Sequence, residues 1–191
     1  MDYLTENLLY KKTVIINDAS FDVEIIDVSA DIKDRSKVPQ EPIQWSDAII
    51  LVYSITDRDS FNYANTMLEN LQQYREVTPI PVVLVGNKAD LKVRREVYPN
   101  EGKATAEKYG CTFFETSVSE SSNDVHEVFW AIFNELKSTR SNAFRRLRKF
   151  SVTKIMTLLF GKDYSRMTPT TQSGTVTVLK KDDLTKTLEV K

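Results

Sequence analysis

Asn87-Lys88-Ala89-Asp90 sets an amide, an ammonium and a carboxylate within four residues, directly after the apolar run from Pro81 to Gly86. An ionised carboxylate at Asp90 can accept two parallel hydrogen bonds, from a ring N–H and an exocyclic amine on the edge of guanine, a pairing that adenine does not offer. Asn87 can bridge a base edge and a neighbouring loop, while the Lys88 stem can lie over a purine face with its ammonium toward the ribose. The same four residues also read as an ordinary polar turn between a strand and a helix.

Other chemistry is thinly supplied. Cys111 is the only cysteine and His126 the only histidine, which excludes an internal disulfide framework, a cysteine-based metal site and a histidine pair. Cys111 reads as a small core residue and His126, beside the apolar stripe, as a surface or boundary residue. A net charge of -1 gives the whole chain no bulk attraction to nucleic acid, so no DNA readout is expected. No apolar run approaches the roughly 20 residues of a membrane span, and the N-terminus lacks the apolar core of a signal peptide. The reading is a soluble intracellular protein, long enough at 191 residues for one substantial core plus a tail.

The elements that must position Asn87 to Asp90 follow from the apolar pattern. Thr13 to Ile16 and Phe21 to Ile26, flanking Asn17-Asp18-Ala19-Ser20, predict an antiparallel hairpin between Tyr10 and Asp27. Ala48 to Tyr53 and Pro81 to Gly86 are continuously apolar, as strands covered on both faces are. Between them Phe61, Ala64, Leu68, Leu71 and Tyr74 recur at helical spacing, with Thr56 or Asp57 as N-cap, which makes a βαβ unit. A second helix is predicted from Asn100 to Tyr109 with Gly110 as its C-cap, then a short strand from Cys111 to Glu115. Val125, Val128, Phe129, Ile132, Phe133 and Leu136 trace the stripe of a last helix. This alternation predicts an open α/β sheet with helices on both faces and a ligand site at the C-terminal ends of its strands.

From Ser138 onward the pattern dissolves into a tail. Phe144, Leu147, Ile155, Leu158 and Leu159, set among Arg145, Arg146, Arg148, Lys149 and Lys154, predict a basic amphipathic segment suited to an anionic membrane surface or a partner helix. The same basic run reads equally as a nuclear or nucleolar address, or as a solvated charged stretch. The chain ends Leu188-Glu189-Val190-Lys191, without the cysteine of a prenyl anchor.

Asn87-Lys88-Ala89-Asp90 resembles the guanine motif of Ras-type small GTPases, and Glu115-Thr116-Ser117-Val118-Ser119 resembles their second base-contacting loop. Trp45-Ser46-Asp47-Ala48, Ile49 to Asp57 and Ser60-Phe61 are similar to that family's fourth strand and following helix. Val23 to Asp27 resembles the strand leading into the second switch, and Thr5 falls where the first switch keeps its magnesium-binding threonine. The likeness covers about Thr5 to Leu136 and points to the Ras-like subgroup containing member eleven and the estrogen-regulated growth-inhibitor relatives. It implies a P-loop NTPase-like, Ras-type sheet that binds GTP or GDP with Mg2+. Asn87, Lys88, Asp90, Ser117 and Val118 would hold guanine, and Thr5 and Asp27 would hold the metal. It further implies a monomeric signalling switch that meets effector or regulator proteins.

The departures from the family pattern are equally specific. A P-loop, G-x-x-x-x-G-K-[ST], lets backbone N–H groups approach the phosphates, yet the first glycine here is Gly86. Where the family has aspartate, threonine, alanine, glycine and glutamine, this chain reads Asp27-Val28-Ser29-Ala30-Asp31, so Asp31 takes the water-orienting glutamine's place. The expectation is a truncated Ras-like domain over 1-137, missing its first central strand, P-loop and first helix, followed by a basic, largely disordered tail over 138-191. Two inner sheet edges would be left unpaired, a cost that suggests a truncated product or an incomplete gene model. GTP hydrolysis would be weak or absent, and the rival reading is a nucleotide-independent interaction protein acting through its surface and basic tail.

Overall fold

The two continuous apolar runs lie side by side near the middle of a six-stranded sheet. The structure is a computed structural model that describes residues 8–16, 19–29, 40–77, 79–117, 119, 122–143 and 152–159. In it β1 (Leu8–Ile16) pairs antiparallel with β2 (Ala19–Ser29), Leu8 facing Asp27 and Ile16 facing Ala19. The hairpin is therefore as predicted, while its turn residues 17 and 18 lie outside the described residues. After the short helix α1 (Gln40–Trp45), β3 (Ala48–Ser54) and β4 (Val82–Asn87) run parallel, with Ile49 facing Val82 and Ser54 facing Asn87. Helix α1 has no counterpart in the sequence reading.

Alternation along these strands feeds two cores, one on each face. Ile49, Leu51, Tyr53, Val82 and Leu84 point to the face covered by α2 (Arg58–Val77), where they meet Phe61, Ala64, Met67, Leu68 and Leu71. Ala48, Ile50, Val83 and Val85 point to the other face, under α4 (Ser122–Ala143), against the predicted stripe of Val125, Val128, Phe129, Ile132, Phe133 and Leu136. Asp57 caps α2, its carboxylate accepting the amide N–H groups of Asp59 and Ser60 at 3.1 and 3.2 Å. Helix α3 (Pro99–Tyr109) begins on a proline and stops at Gly110, whose φ of 60° suits a residue without Cβ. It leads into the edge strand β5 (Thr112–Glu115), parallel to β4.

The structure departs from expectation beyond Lys137. Helix α4 continues to Ala143, and residues 152–159, taken from the sequence as part of a helical or solvated tail, form strand β6 (Val152–Leu159). The sheet order is β1-β2-β6-β3-β4-β5. Strand β6 thus lies in the central gap and runs parallel to both neighbours, Ile155 facing Ile25 on one side and Ala48 on the other. The expectation of two unpaired inner edges does not hold, because the chain's own later segment supplies the ladder partner for each. Ile155 and Met156 are fully buried, Ile155 in the core under α4 and Met156 in the core under α2. Residues 160–191 lie outside the described residues.

Replacing Met156 by alanine removes a side chain from the α2 core and should cost about 2–5 kcal/mol in urea-induced unfolding. A loss below about 0.5 kcal/mol, the range of an exposed substitution, would show that β6 is not part of the core.

Candidate nucleotide site

Strand β4 ends at Asn87, which is buried, and the chain turns there through Lys88 at a φ of 65°. That left-handed conformation is uncommon for a residue with a Cβ and marks a turn held by its surroundings. The turn is pinned on several sides. Asn87 Oδ1 accepts the Lys88 amide at 2.8 Å, and the Asn87 carbonyl accepts the Ile55 amide at 3.0 Å. The Ala89 amide donates to the Thr116 carbonyl at 3.0 Å, and the Thr116 amide donates to the Gly86 carbonyl at 2.9 Å. The loop after β4 and the loop after β5 are therefore stitched together by main-chain bonds.

Side chains complete the stitching. The Ser117 hydroxyl donates to Asp90 Oδ1 at 2.7 Å and sits 3.0 Å from the Ser119 hydroxyl, while the Ser117 amide donates to Asp124 at 3.3 Å. Asp90 is thus aimed by one hydrogen bond and keeps acceptor capacity on its carboxylate. The structure brings together Asn87, Lys88, Asp90 and Ser117. Val118, Thr5 and Asp31 lie outside the described residues. Asp27 is in β2, three strand spacings from β4, or about 14 Å across the sheet.

Sequence reading missed the pair beneath this site. Arg95, after the 3₁₀ turn at Lys92–Arg94, grips Glu115 at the end of β5 with both terminal nitrogens, at 2.6 and 2.9 Å, and donates to the Val97 carbonyl at 2.9 Å. Both side chains are largely buried, and the contact raises the arginine pKa further above its ordinary value. Twenty residues separate the partners, so no local spacing could announce them. Beside them, Gly86 leaves room for Tyr53, whose hydroxyl would lie 2.9 Å from a Cβ at that position. Burial, reinforced by Glu115, raises the Tyr53 phenol well above its ordinary value.

Asp27 has one buried carboxylate oxygen with no hydrogen-bond partner, and burial pushes its pKa up to about 6. A hard oxygen of this kind fits Mg2+, which takes one or two carboxylates and completes its shell with water and phosphate oxygens. No cluster of three or more histidine, cysteine or acidic side chains that could hold a metal occurs among the described residues.

A mostly parallel sheet with helices on both faces, and a pinned polar loop at the C-terminal ends of its strands, defines a doubly wound α/β domain of the P-loop NTPase kind. The Ras family model matches residues 5–138, and the chain belongs to the Ras family. It is 32% identical over 149 residues to Ras-like protein family member 11B of Xenopus laevis, covering 75% of this chain and 60% of that protein. Over 94 residues it is 44% identical to the mouse protein of the same name, covering 49% of this chain and 38% of that one. GTP-binding protein GEM of mouse is 33% identical over 145 residues, 76% of this chain and 49% of its own length. The chain therefore spans between about two fifths and three fifths of these relatives.

Two outcomes follow for this region. A double-mutant cycle of Arg95→Ala and Glu115→Ala should give a coupling energy of about 1–3 kcal/mol in urea unfolding, and a value near zero would mean the pair does not tie the two loops. Because the Asp27 carboxyl titrates above the ordinary 3.8, ionising it in the folded state costs stability. In magnesium-free buffer that cost should appear as pH rises from about 4 through about 6 and then level off. Asp27→Asn should remove this component, and an unchanged pH profile would contradict the assignment.

Proposed function

We propose that this chain is a guanine-nucleotide-binding member of its family, with GTP hydrolysis weak or absent in the chain as it stands. The observation that carries the reading is the Ser117 hydroxyl held on Asp90 at 2.7 Å, at the end of the central strand β4. Asp90 accepts the ring N–H and exocyclic amine of guanine, Asn87 fixes the turn and reaches the base edge, and Lys88 covers the purine face. Ser117 and Val118 support the base from the second loop, Ser117 by orienting Asp90. The base site fits its ligand because acceptor and amide converge on one pinned turn. Asp27, with Thr5, is the site for Mg2+, which when bound offsets phosphate charge.

Weak hydrolysis follows from the chemistry of the second switch. Phosphoryl transfer depends on positioning and charge compensation. Asp31 stands where a neutral glutamine would orient water, and its charge opposes a γ-phosphate. The absence of a G-x-x-x-x-G-K-[ST] sequence from the chain supports a second reading, an intracellular, nucleotide-independent protein that meets regulators or effectors through its surface and basic tail.

Titrating purified protein with GDP and GTP separates the two. The first reading expects saturable guanine binding that Asp90→Asn reduces at least tenfold, while the same variant gains affinity for xanthine nucleotides, whose C2 carbonyl accepts the new amide. Undetectable binding would leave the second reading, and binding unchanged by Asp90→Asn would overturn the role given to Asp90.

A further inference from the structure

We propose that the gap between β2 and β3 is a strand-binding site, that Val152–Leu159 is its resident intramolecular ligand, and that Asp47 anchors that ligand at its entry. The site takes an extended peptide, parallel to both neighbours, with apolar side chains at two successive central positions and a basic residue just before them.

The anchor reads the main chain. The Asp47 amide donates to the Lys154 carbonyl at 2.7 Å, and the Asp47 carboxylate accepts the Lys154 amide at 2.8 Å. This reciprocal pair fixes where the inserted strand starts. The Lys154 ammonium lies 5.2 Å above the Trp45 ring, a cation–π contact that selects a basic side chain there. Ile155 and Met156 then enter opposite cores, as a two-faced central strand requires.

Past these residues the fit worsens, and this points to exchange. Thr157 faces Asp27 on β2 and Ile50 on β3. Its hydroxyl is buried with no hydrogen-bond partner, and so is one Asp27 carboxylate oxygen. Burying orphaned polar atoms offsets part of what the ladder contributes. The inserted strand is therefore held well at its anchored end and poorly at Thr157. Its sequence neighbours do not lie on the strands flanking it, since it follows α4 rather than β2 or β3. Its departure separates the β1–β2 hairpin from β3-β4-β5, because within the sheet the two halves meet across β6. Strand insertion of this kind draws affinity from main-chain bonds and specificity from alternate side chains.

The test uses the full chain carrying Ile155→Asp, which puts a carboxylate into the core under α4. A synthetic peptide of residues 152–159, flanked by solubilising lysines, should raise the variant's melting temperature in a saturable way, and a scrambled peptide should not. The peptide with Thr157→Val should bind about tenfold more tightly, because the orphaned hydroxyl is gone. Asp47→Ala should weaken the peptide. No stabilisation, equal stabilisation by the scrambled peptide, or an Ile155→Asp variant that melts like the parent would each overturn the proposal. Should the variant not fold alone, hydrogen exchange on the unsubstituted chain decides. Amides of β1, β2 and β6 should exchange together and faster than those of Val83 and Leu84, and uniform protection across the sheet would overturn it.

Discussion

A parallel sheet tolerates no gap at its centre, because each strand there has both rows of backbone donors and acceptors removed from water. Everything else in this structure depends on how that demand is met. Strand β6 satisfies β2 on one side and β3 on the other, and its buried Ile155 and Met156 extend both cores. With that strand in place, the antiparallel hairpin that carries Asp27 and the parallel strands that carry the polar turn at Asn87 to Asp90 become one sheet.

Local order at the candidate site depends less on the gap than on links between loops. The turn after β4 is held from β3 through Ile55, from the loop after β5 through Thr116 and Ser117, and from below through Arg95 and Glu115. These links are short and cross between elements, so the polar atoms of the candidate site are held in fixed positions. Such preorganisation reduces the ordering cost of binding. Family membership and site geometry are thus consistent.

Much of this could be read from residues alone. Ala48 to Tyr53 and Pro81 to Gly86 announced buried parallel strands because an unbroken apolar run of that length has few other homes. The stripe from Val125 to Leu136 announced α4 because its spacing repeats over more than three turns. The polar turn at Asn87 to Asp90 was legible as a turn because it closes an apolar strand, and the structure places it at the end of β4. Val152–Leu159 was not. Ile155, Leu158 and Leu159 fit a helical spacing as well as a strand, and eight residues are too few to separate the two periods. The basic run just before them also argued for a solvated segment. Arg95 with Glu115, and Asp47 with Lys154, were invisible for a different reason: each pair is made by tertiary folding across a long stretch of chain.

Asp47 and Lys154 are 107 positions apart in the chain, and that distance sets an order of events during synthesis. A chain emerging from the ribosome can build the hairpin and the β3-β4-β5 ladder early, but the strand that belongs between them is the last made of the described strands. Until then the nascent sheet carries two open parallel edges, and closing it demands a long loop. Among the described strands the central one is the latest to arrive, which makes this a slow-closing topology and gives a chaperone a long opportunity to act.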